Sequence, residues 1–220
     1  MELLENNEMT GYQADTENTT PKKQAGNVRK QDSNPQEKID RIASLFGEIM
    51  TELDLDLTDD SLQDTPRRVA KMYVNEIFRG LDANKEPRIS NFDNVYGYHG
   101  PLIERNIQLK SFCEHHFLPI YGVAHVGYIP TDKVIGLSKL NRIVEYFARR
   151  PQVQERLTVD IANHLQKVLG TEDVAIVIDA KHMCVEYRGV EHCGSSTVTE
   201  IFRGKFEDPH QQRKFLDYIK

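Results

Sequence analysis

The sequence predicts an α+β domain, and three observations predict it. Apolar residues first recur at helical spacing, extended stretches follow, and after two further helical stretches the chain returns to short β-rich runs. Glycines and prolines fall at the changes between these textures. The 220 residues are enough for one main hydrophobic core and a small helical appendage, and too few for two full domains.

Residues 1–33 are rich in Glu, Asn, Gln, Thr and Lys and show no helical or strand period, so they are expected to form a disordered tail. Asn34-Pro35-Gln36-Glu37 then supplies a capping side chain, a proline suited to the first helical turn and a glutamate that can reach back to the cap. The helix that starts there carries Ile39, Ile42, Phe46, Ile49 and Leu53 at spacings of three and four, which predicts one buried stripe. Thr65-Pro66 repeats the start signal, Val69, Met72, Tyr73 and Ile77 form the next stripe, and Gly80 ends it. Residues 34–90 are thus expected to be helical and residues 91–220 to form the main domain.

In that domain Asn106–Phe112 and Tyr121–Ile129 read as strands, the second ending at Pro130. Ser138 is expected to cap a helix carrying Leu140, Ile143, Val144 and Phe147. Pro151 is expected to open another carrying Val153, Leu157, Ile161, Leu165 and Val168, closed by Gly170. Val174–Asp179 is a short β-branched run, His182–Tyr187 can return beside it, and Ser196–Phe206 contains a further strand.

The totals exclude several function classes. A net charge of −6 lacks the broad basic surface that phosphate-backbone binding needs, so no nucleic-acid partner is expected. There is no apolar run of the roughly 18 to 20 residues a membrane span requires, and no basic segment followed by an apolar one opens the chain. Three cysteines, an odd number, do not make a disulfide framework, and a reducing cytoplasm fits them best.

Those cysteines are placed for metal chemistry. Ser111-Phe-Cys113-Glu114-His115-His116-Phe-Leu-Pro119 lets one short loop supply a sulfur and an imidazole nitrogen, and His182-Met-Cys184 supplies a second sulfur. Zinc takes both ligand types at roughly 2.0 to 2.3 Å, and three protein ligands leave one position open for reaction. In the plainer alternative Cys193 or His192 closes the site, which would then be structural. Iron or another divalent ion also suits two sulfurs and one imidazole, since availability decides occupancy as much as ligand type.

Beyond the metal loop lie Gly136-Leu-Ser138-Lys139-Leu-Asn-Arg142, Arg149-Arg-Pro-Gln-Val-Gln154-Glu155-Arg156 and Arg188-Gly189-Val190, preceded by Asp64-Thr-Pro-Arg-Arg68-Val-Ala-Lys71-Met-Tyr. Together with the metal loop, these segments resemble the GTP cyclohydrolase I family from about Asn34 to the C-terminus. The resemblance implies a zinc enzyme that converts GTP and water to formate and 7,8-dihydroneopterin triphosphate, the first step of tetrahydrofolate and pterin biosynthesis. It also implies a tunnelling fold and a toroidal homodecamer with active sites between subunits.

Residue by residue, the resemblance makes Cys113, His116 and Cys184 the zinc ligands. His182 would serve acid–base chemistry on the base ring, and His115 the later opening of the ribose. A histidine titrates near the operating pH, which suits either role, and the plainer reading of each is support for a neighbouring ligand. Glu155, with Gln154 beside it, would bind guanine, because a carboxylate can accept from both N1 and the 2-amino group. Its plainer reading is an exposed glutamate near a helix start.

Lys139, Arg142, Arg188, Arg68 and Lys71 would bind the triphosphate, the last two from an adjacent subunit; otherwise Arg68 and Lys71 read as a solvated helix face. Ser138 would bind phosphate or ribose or relay a proton. His99, His125, His164, His192 and His210 fall outside these motifs and read as core or surface residues, and Cys193 reads as a free thiol. Two other readings compete: a related enzyme acting on another purine or pterin, and a zinc-binding module that holds the pocket without turnover.

Overall fold

The structure, a computed structural model, describes residues 34–220, so the tail expected over residues 1–33 lies outside the described residues. Its architecture is α+β, as the alternation of textures predicts.

Helix α1 (Pro35–Glu52) starts where expected: Asn34 Oδ1 accepts from the Gln36 amide at 3.0 Å, and the proline sits in the first turn. Its buried residues are Ile39 and Met50, whereas Ile49 and Leu53, expected on the buried stripe, are 52% and 65% exposed. The physical reason is rotation about the helix axis: Ile39, Ile42, Phe46 and Met50 share the covered face, whereas Ile49 and Leu53 fall with Leu45 on the neighbouring face, which helix α2 (Thr65–Met72) does not cover. The cap residue of α2 is Asp64 rather than Thr65, and its carboxylate faces Arg68 instead of closing the helix end.

Helix α2 does not run straight to Gly80. It passes into a π-helical turn at Tyr73–Ile77 and then a tight turn at Arg79–Leu81. Gly80 is buried there because the backbone comes so close to the following domain that a Cβ would meet Tyr146 O at 2.1 Å. Its amide donates to Arg149 O at 2.9 Å, and its carbonyl accepts from Arg150 Nε at 2.8 Å. The Arg150 guanidinium in turn lies 4.5 and 4.6 Å above the Tyr146 and Phe147 rings.

The main domain is a five-stranded sheet whose strands lie in the order Pro151–Gln152 (β5), Leu102–Cys113 (β2), Pro119–Tyr128 (β3), Val174–His182 (β6) and Thr197–Phe202 (β7). Strands β2, β3, β6 and β7 are antiparallel neighbours. Two short strands, β1 (Asn91–Asp93) and β4 (Lys133–Ile135), pair separately. Helices α3 (Leu137–Ala148) and α4 (Gln154–Leu169) bring Leu140, Ile143, Val144, Leu157, Ile161 and Leu165 onto the sheet residues Leu109, Ile120, Val126 and Ile176, forming the main core. Helix α6 (Pro209–Ile219) builds a second cluster, with Phe206 and Phe215 against Ala175 and Val177. Gly170 ends α4 in the left-handed conformation at φ 62°, as its position after Leu169 predicts.

Three boundaries differ from expectation. Pro151 does not open a helix: with Gln152 it forms β5, parallel to Phe112–Cys113, and α4 begins only at Gln154. The cap residue of α3 is Gly136 rather than Ser138. His182–Tyr187 is not a returning strand, because β6 already has β3 and β7 on its two sides. The strand instead runs to His182 and turns into the single helical turn α5 (Met183–Glu186).

Two buried histidines couple the fold to pH. His164 packs its ring 5.2 Å from Phe147, its Nε2 is buried without a partner, and Glu86 lies 3.7 Å from its Nδ1. Burial holds its pKa below the ordinary 6.5, against the pull of Glu86 and with Lys167 and Arg150 adding to the depression. His125 is lowered in the same direction, again mainly by burial. With lowered folded values, the folded state binds fewer protons than the unfolded chain below 6.5. Stability should therefore be level above that pH and fall as pH drops through it. Urea midpoints measured across this range should show that fall, and His164→Phe should make it shallower; an unchanged slope would assign the dependence to other groups.

Candidate active site

The site is assembled at one end of the sheet by strand register. Ile120 of β3 faces Ser111 on one side and His182 on the other, so the last residues of β2 and β6 end side by side. Beyond β2 the chain makes a tight turn in which the Cys113 amide donates to Leu118 O at 2.8 Å and the Phe117 amide to Cys113 O at 2.9 Å. Phe117 adopts a positive φ of 54°, an uncommon backbone state for a non-glycine residue, and its ring packs 5.2 Å from Phe78 and 6.3 Å from Tyr73. The N-terminal helical segment thus braces the turn. On the other side α5 folds Cys184 back toward Cys113, held by a 3.1 Å hydrogen bond from Tyr121 Oη to Glu186 Oε2.

Cys113 Sγ, a ring nitrogen of His116 and Cys184 Sγ all lie within 4.8 Å of one another. The Cys113 Sγ to His116 Nδ1 distance is 3.8 Å. Bonds of 2.0 to 2.3 Å at tetrahedral angles would separate such ligand atoms by roughly 3.6 to 3.8 Å, so the donor set fits one metal ion. Burial raises the Cys184 thiol pKa, and the adjoining Cys113 sulfur raises it further, with Arg188 opposing. A divalent cation among the three would reverse that balance and draw the thiolate form. Cys193, the candidate for closing the site, is exposed and does not belong to the group.

His115 Nδ1 lies 3.7 Å from Cys113 Sγ, with the ring otherwise exposed. Arg188 also reaches the cluster, its Nη1 standing 3.0 Å from His116 Nε2. His182 Nε2 lies 2.8 Å from Gln154 Oε1. Gln154 is 2% exposed, and its Nε2 donates to Ile178 O, Thr197 O and Thr199 Oγ1 at 3.1, 2.8 and 3.2 Å. With its amide hydrogens spent, Gln154 presents an oxygen, so His182 carries its proton on Nε2 and leaves Nδ1 free to accept. Burial lowers the His182 pKa, against the Glu155 carboxylate, which favours that neutral form. Gln154, expected beside the base, is in this structure a buried support for His182. Glu155 follows it in the first turn of α4 with its side chain exposed.

The remaining expected residues stand apart from this cluster. Ser138, Lys139 and Arg142 lie in the first half of α3, and Arg68 and Lys71 lie exposed on α2. Among the described residues, no side-chain hydrogen bond or ion pair joins these five to the thiols and imidazoles. Arg142 lines two adjoining cavities of about 240 and 400 Å³, the first with Arg79 and Lys85, the second with Lys110 and Arg149. Glu145 is the one acid on both, and it is engaged by Arg79 at 2.6 Å and Arg149 at 3.8 Å. Motif reading gave none of these four cations a role, although Arg149 opens one of the quoted motifs. Arg149 follows Arg142 by seven residues, two helical turns, which is the signal that could have placed it on the same face.

A family model described as GTP cyclohydrolase I matches residues 42–220. The GTP cyclohydrolase 1 of Flavobacterium johnsoniae is 60% identical over 189 residues, covering 86% of this chain and 85% of that protein. That of Aeromonas salmonicida is 53% identical over 188 residues, covering 85% and 86%, and that of Shewanella denitrificans is 51% identical over 189 residues, covering 86% and 87%.

Metal binding gives a direct check. Purified protein should hold one divalent metal ion per chain by elemental analysis, and Cys184→Ser or Cys113→Ser should lose it while keeping the fold by circular dichroism. Because the thiols must lose protons to bind, metal affinity should weaken as pH falls. Retention of metal by both serine variants would place the ion elsewhere.

Proposed function

This chain belongs to the GTP cyclohydrolase I family and is an enzyme of the hydrolase class, and from that premise we propose that it opens the guanine imidazole ring of GTP in a zinc-dependent reaction. The products are formate and 7,8-dihydroneopterin triphosphate, at the start of a reduced folate or other pterin pathway in the cytoplasm. The observation that carries this reading is the convergence of Cys113, His116 and Cys184 beside a neutral, oriented His182.

When bound there, zinc supplies a Lewis acid that makes water a competent nucleophile near neutral pH. Three residue ligands leave room for that chemistry. Glu155 accepts hydrogen bonds from guanine N1 and the 2-amino group, which orients the base and rejects adenine. His182 offers Nδ1 to the attacking water, takes its proton, and returns it to the imidazole ring nitrogen as the first ring bond at C8 breaks; a second water cleaves the remaining C8–N bond to release formate, and one water is lost when the pterin ring closes. The Gln154 oxygen holds Nε2–H throughout, so the same face of the ring serves both transfers. His115, exposed on the other side of Cys113, serves the later opening of the ribose. Ser138 binds ribose or phosphate, or relays a proton in that step.

Arg188, Lys139, Arg142, Arg68 and Lys71 neutralise the triphosphate. Screening falls off over about 8 Å at physiological salt, so charges on α2, α3 and the turn after α5 must converge to do this. Their separation within one chain supports a homo-oligomer in which neighbouring subunits complete each site. Two surfaces support it further. The outer edge of β2 is paired only at Phe112 and Cys113, and Leu45, Ile49 and Leu53 form an exposed apolar row on α1. A tunnelling-fold homodecamer, with sheets joined edge to edge, would satisfy both.

The deciding experiment incubates zinc-loaded and chelator-stripped protein with GTP and follows formate and dihydropterin absorbance. Both products should appear only with metal. His182→Ala should lower kcat by about a hundredfold or more, and Glu155→Gln should raise KM for GTP roughly tenfold. Fully metallated protein that binds GTP without releasing formate would refute the proposed reaction.

A further inference from the structure

Glu114 stands between the first metal ligand and His115, and both its backbone and its carboxylate are tied down. Its amide donates to Gln152 O at 3.0 Å, which fastens the metal turn to β5. Its Oε2 accepts from Arg156 Nη2 at 2.5 Å, and its Oε1 lies 4.0 Å from His115 Nε2.

Arg156 is held just as closely. Its Nε donates to Gln152 Oε1 at 2.9 Å and its Nη2 to Pro151 O at 3.0 Å. Gln152 is buried and donates onward to Phe147 O at 3.0 Å, at the end of α3. Arg156 also occupies the first turn of α4, directly after Gln154 and Glu155. A continuous set of bonds therefore runs from α3 through Gln152 and Arg156 to Glu114. The Arg156 and Glu114 side chains are 28% and 33% exposed. A charged pair with this extra bonding holds geometry better than a surface pair whose side chains must be ordered for it alone.

We propose that Glu114, clamped by Arg156, is a positioning residue: the pair locks the Cys113–His116 turn onto the first turn of α4 and aims the His115 ring. The consequence is geometric. Gln154, which holds His182, and Glu155, which reads the base, share that helical turn with Arg156. One clamp thereby sets the distance between the metal ligands and the groups that present the substrate to them. His115 has Cys113 Sγ 3.7 Å from Nδ1 and the Glu114 carboxylate 4.0 Å from Nε2, close enough for the carboxylate's charge to bias the ring. Groups that orient metal ligands from behind are worth about ten- to a hundredfold in activity or metal affinity. The kinetic part of the inference rests on the proposed GTP reaction.

The test uses the full-length protein loaded with cobalt in place of zinc, whose visible absorption reports the arrangement of the sulfur and nitrogen ligands. Glu114→Gln and Arg156→Met should alter those bands while the fold is retained. On the zinc protein they should lower kcat by about ten- to a hundredfold with little change in KM for GTP. Because the two residues act as one unit, the double variant should be no worse than the poorer single one. Arg156→Lys, the least disruptive change, should recover part of the loss.

Cobalt bands and kcat unchanged in Glu114→Gln would overturn the proposal, and so would losses that simply add in the double variant. If the unmodified zinc protein releases no formate, the reaction reading fails, while the cobalt bands still decide whether Glu114 positions the ligands.

Discussion

The register of β3 against its two neighbours is the constraint on which the site depends. Ile120 is paired with Ser111 and with His182 at once. That brings a turn carrying Cys113 and His116 and a turn carrying Cys184 to the same end of the sheet, although some seventy residues separate them in the chain. A slip of one residue would turn every side chain of a strand to its opposite face. The slip is opposed by the core, because Ile120, Ala124 and Val126 of β3 face the helices and are buried completely or nearly so. The apolar packing behind the sheet thus holds the two thiols and the imidazole in place.

Electrostatics then gives this end of the sheet its chemistry. Two thiols side by side resist ionisation when buried, and the Cys184 pKa is raised accordingly. His182 is pushed toward its neutral form by burial and is oriented by an amide whose own hydrogens are fully engaged. The surroundings therefore favour a neutral imidazole next to two thiols that a dication would ionise. The chain carries a net charge of −6, yet it gathers Arg79, Lys85, Lys110, Arg142 and Arg149 around one face of α3. Local concentration of cations, rather than overall charge, sets the character of that face.

Local signals marked the start of α1 and the end of α4, since Asn34-Pro35 and Gly170 act through their own backbone geometry. The strand cores were legible for a similar reason: β-branched runs at Val174–Asp179 and the extended patterns before and after the metal loop need no distant partner to be recognised. Misjudged segments were those whose state depends on a neighbour. Pro151 has the chemistry of a helix start but pairs with Phe112, and the face of α1 that is covered includes Met50 but not Ile49 or Leu53.

The sequence by itself determined the α+β class, the main helices, and the pairing of Cys113 with His116 in one short loop, because spacing and residue chemistry are local properties; it left open whether Cys184 alone or also Cys193 or His192 joined them. Only the tertiary structure decided that Gln154 is a buried support for His182, that α5 turns Cys184 toward Cys113, and that Arg156 clamps Glu114. Each of those depends on which elements meet in space. That is set by sheet register and core packing, whose interactions join residues far apart in the chain and leave no fixed spacing to read.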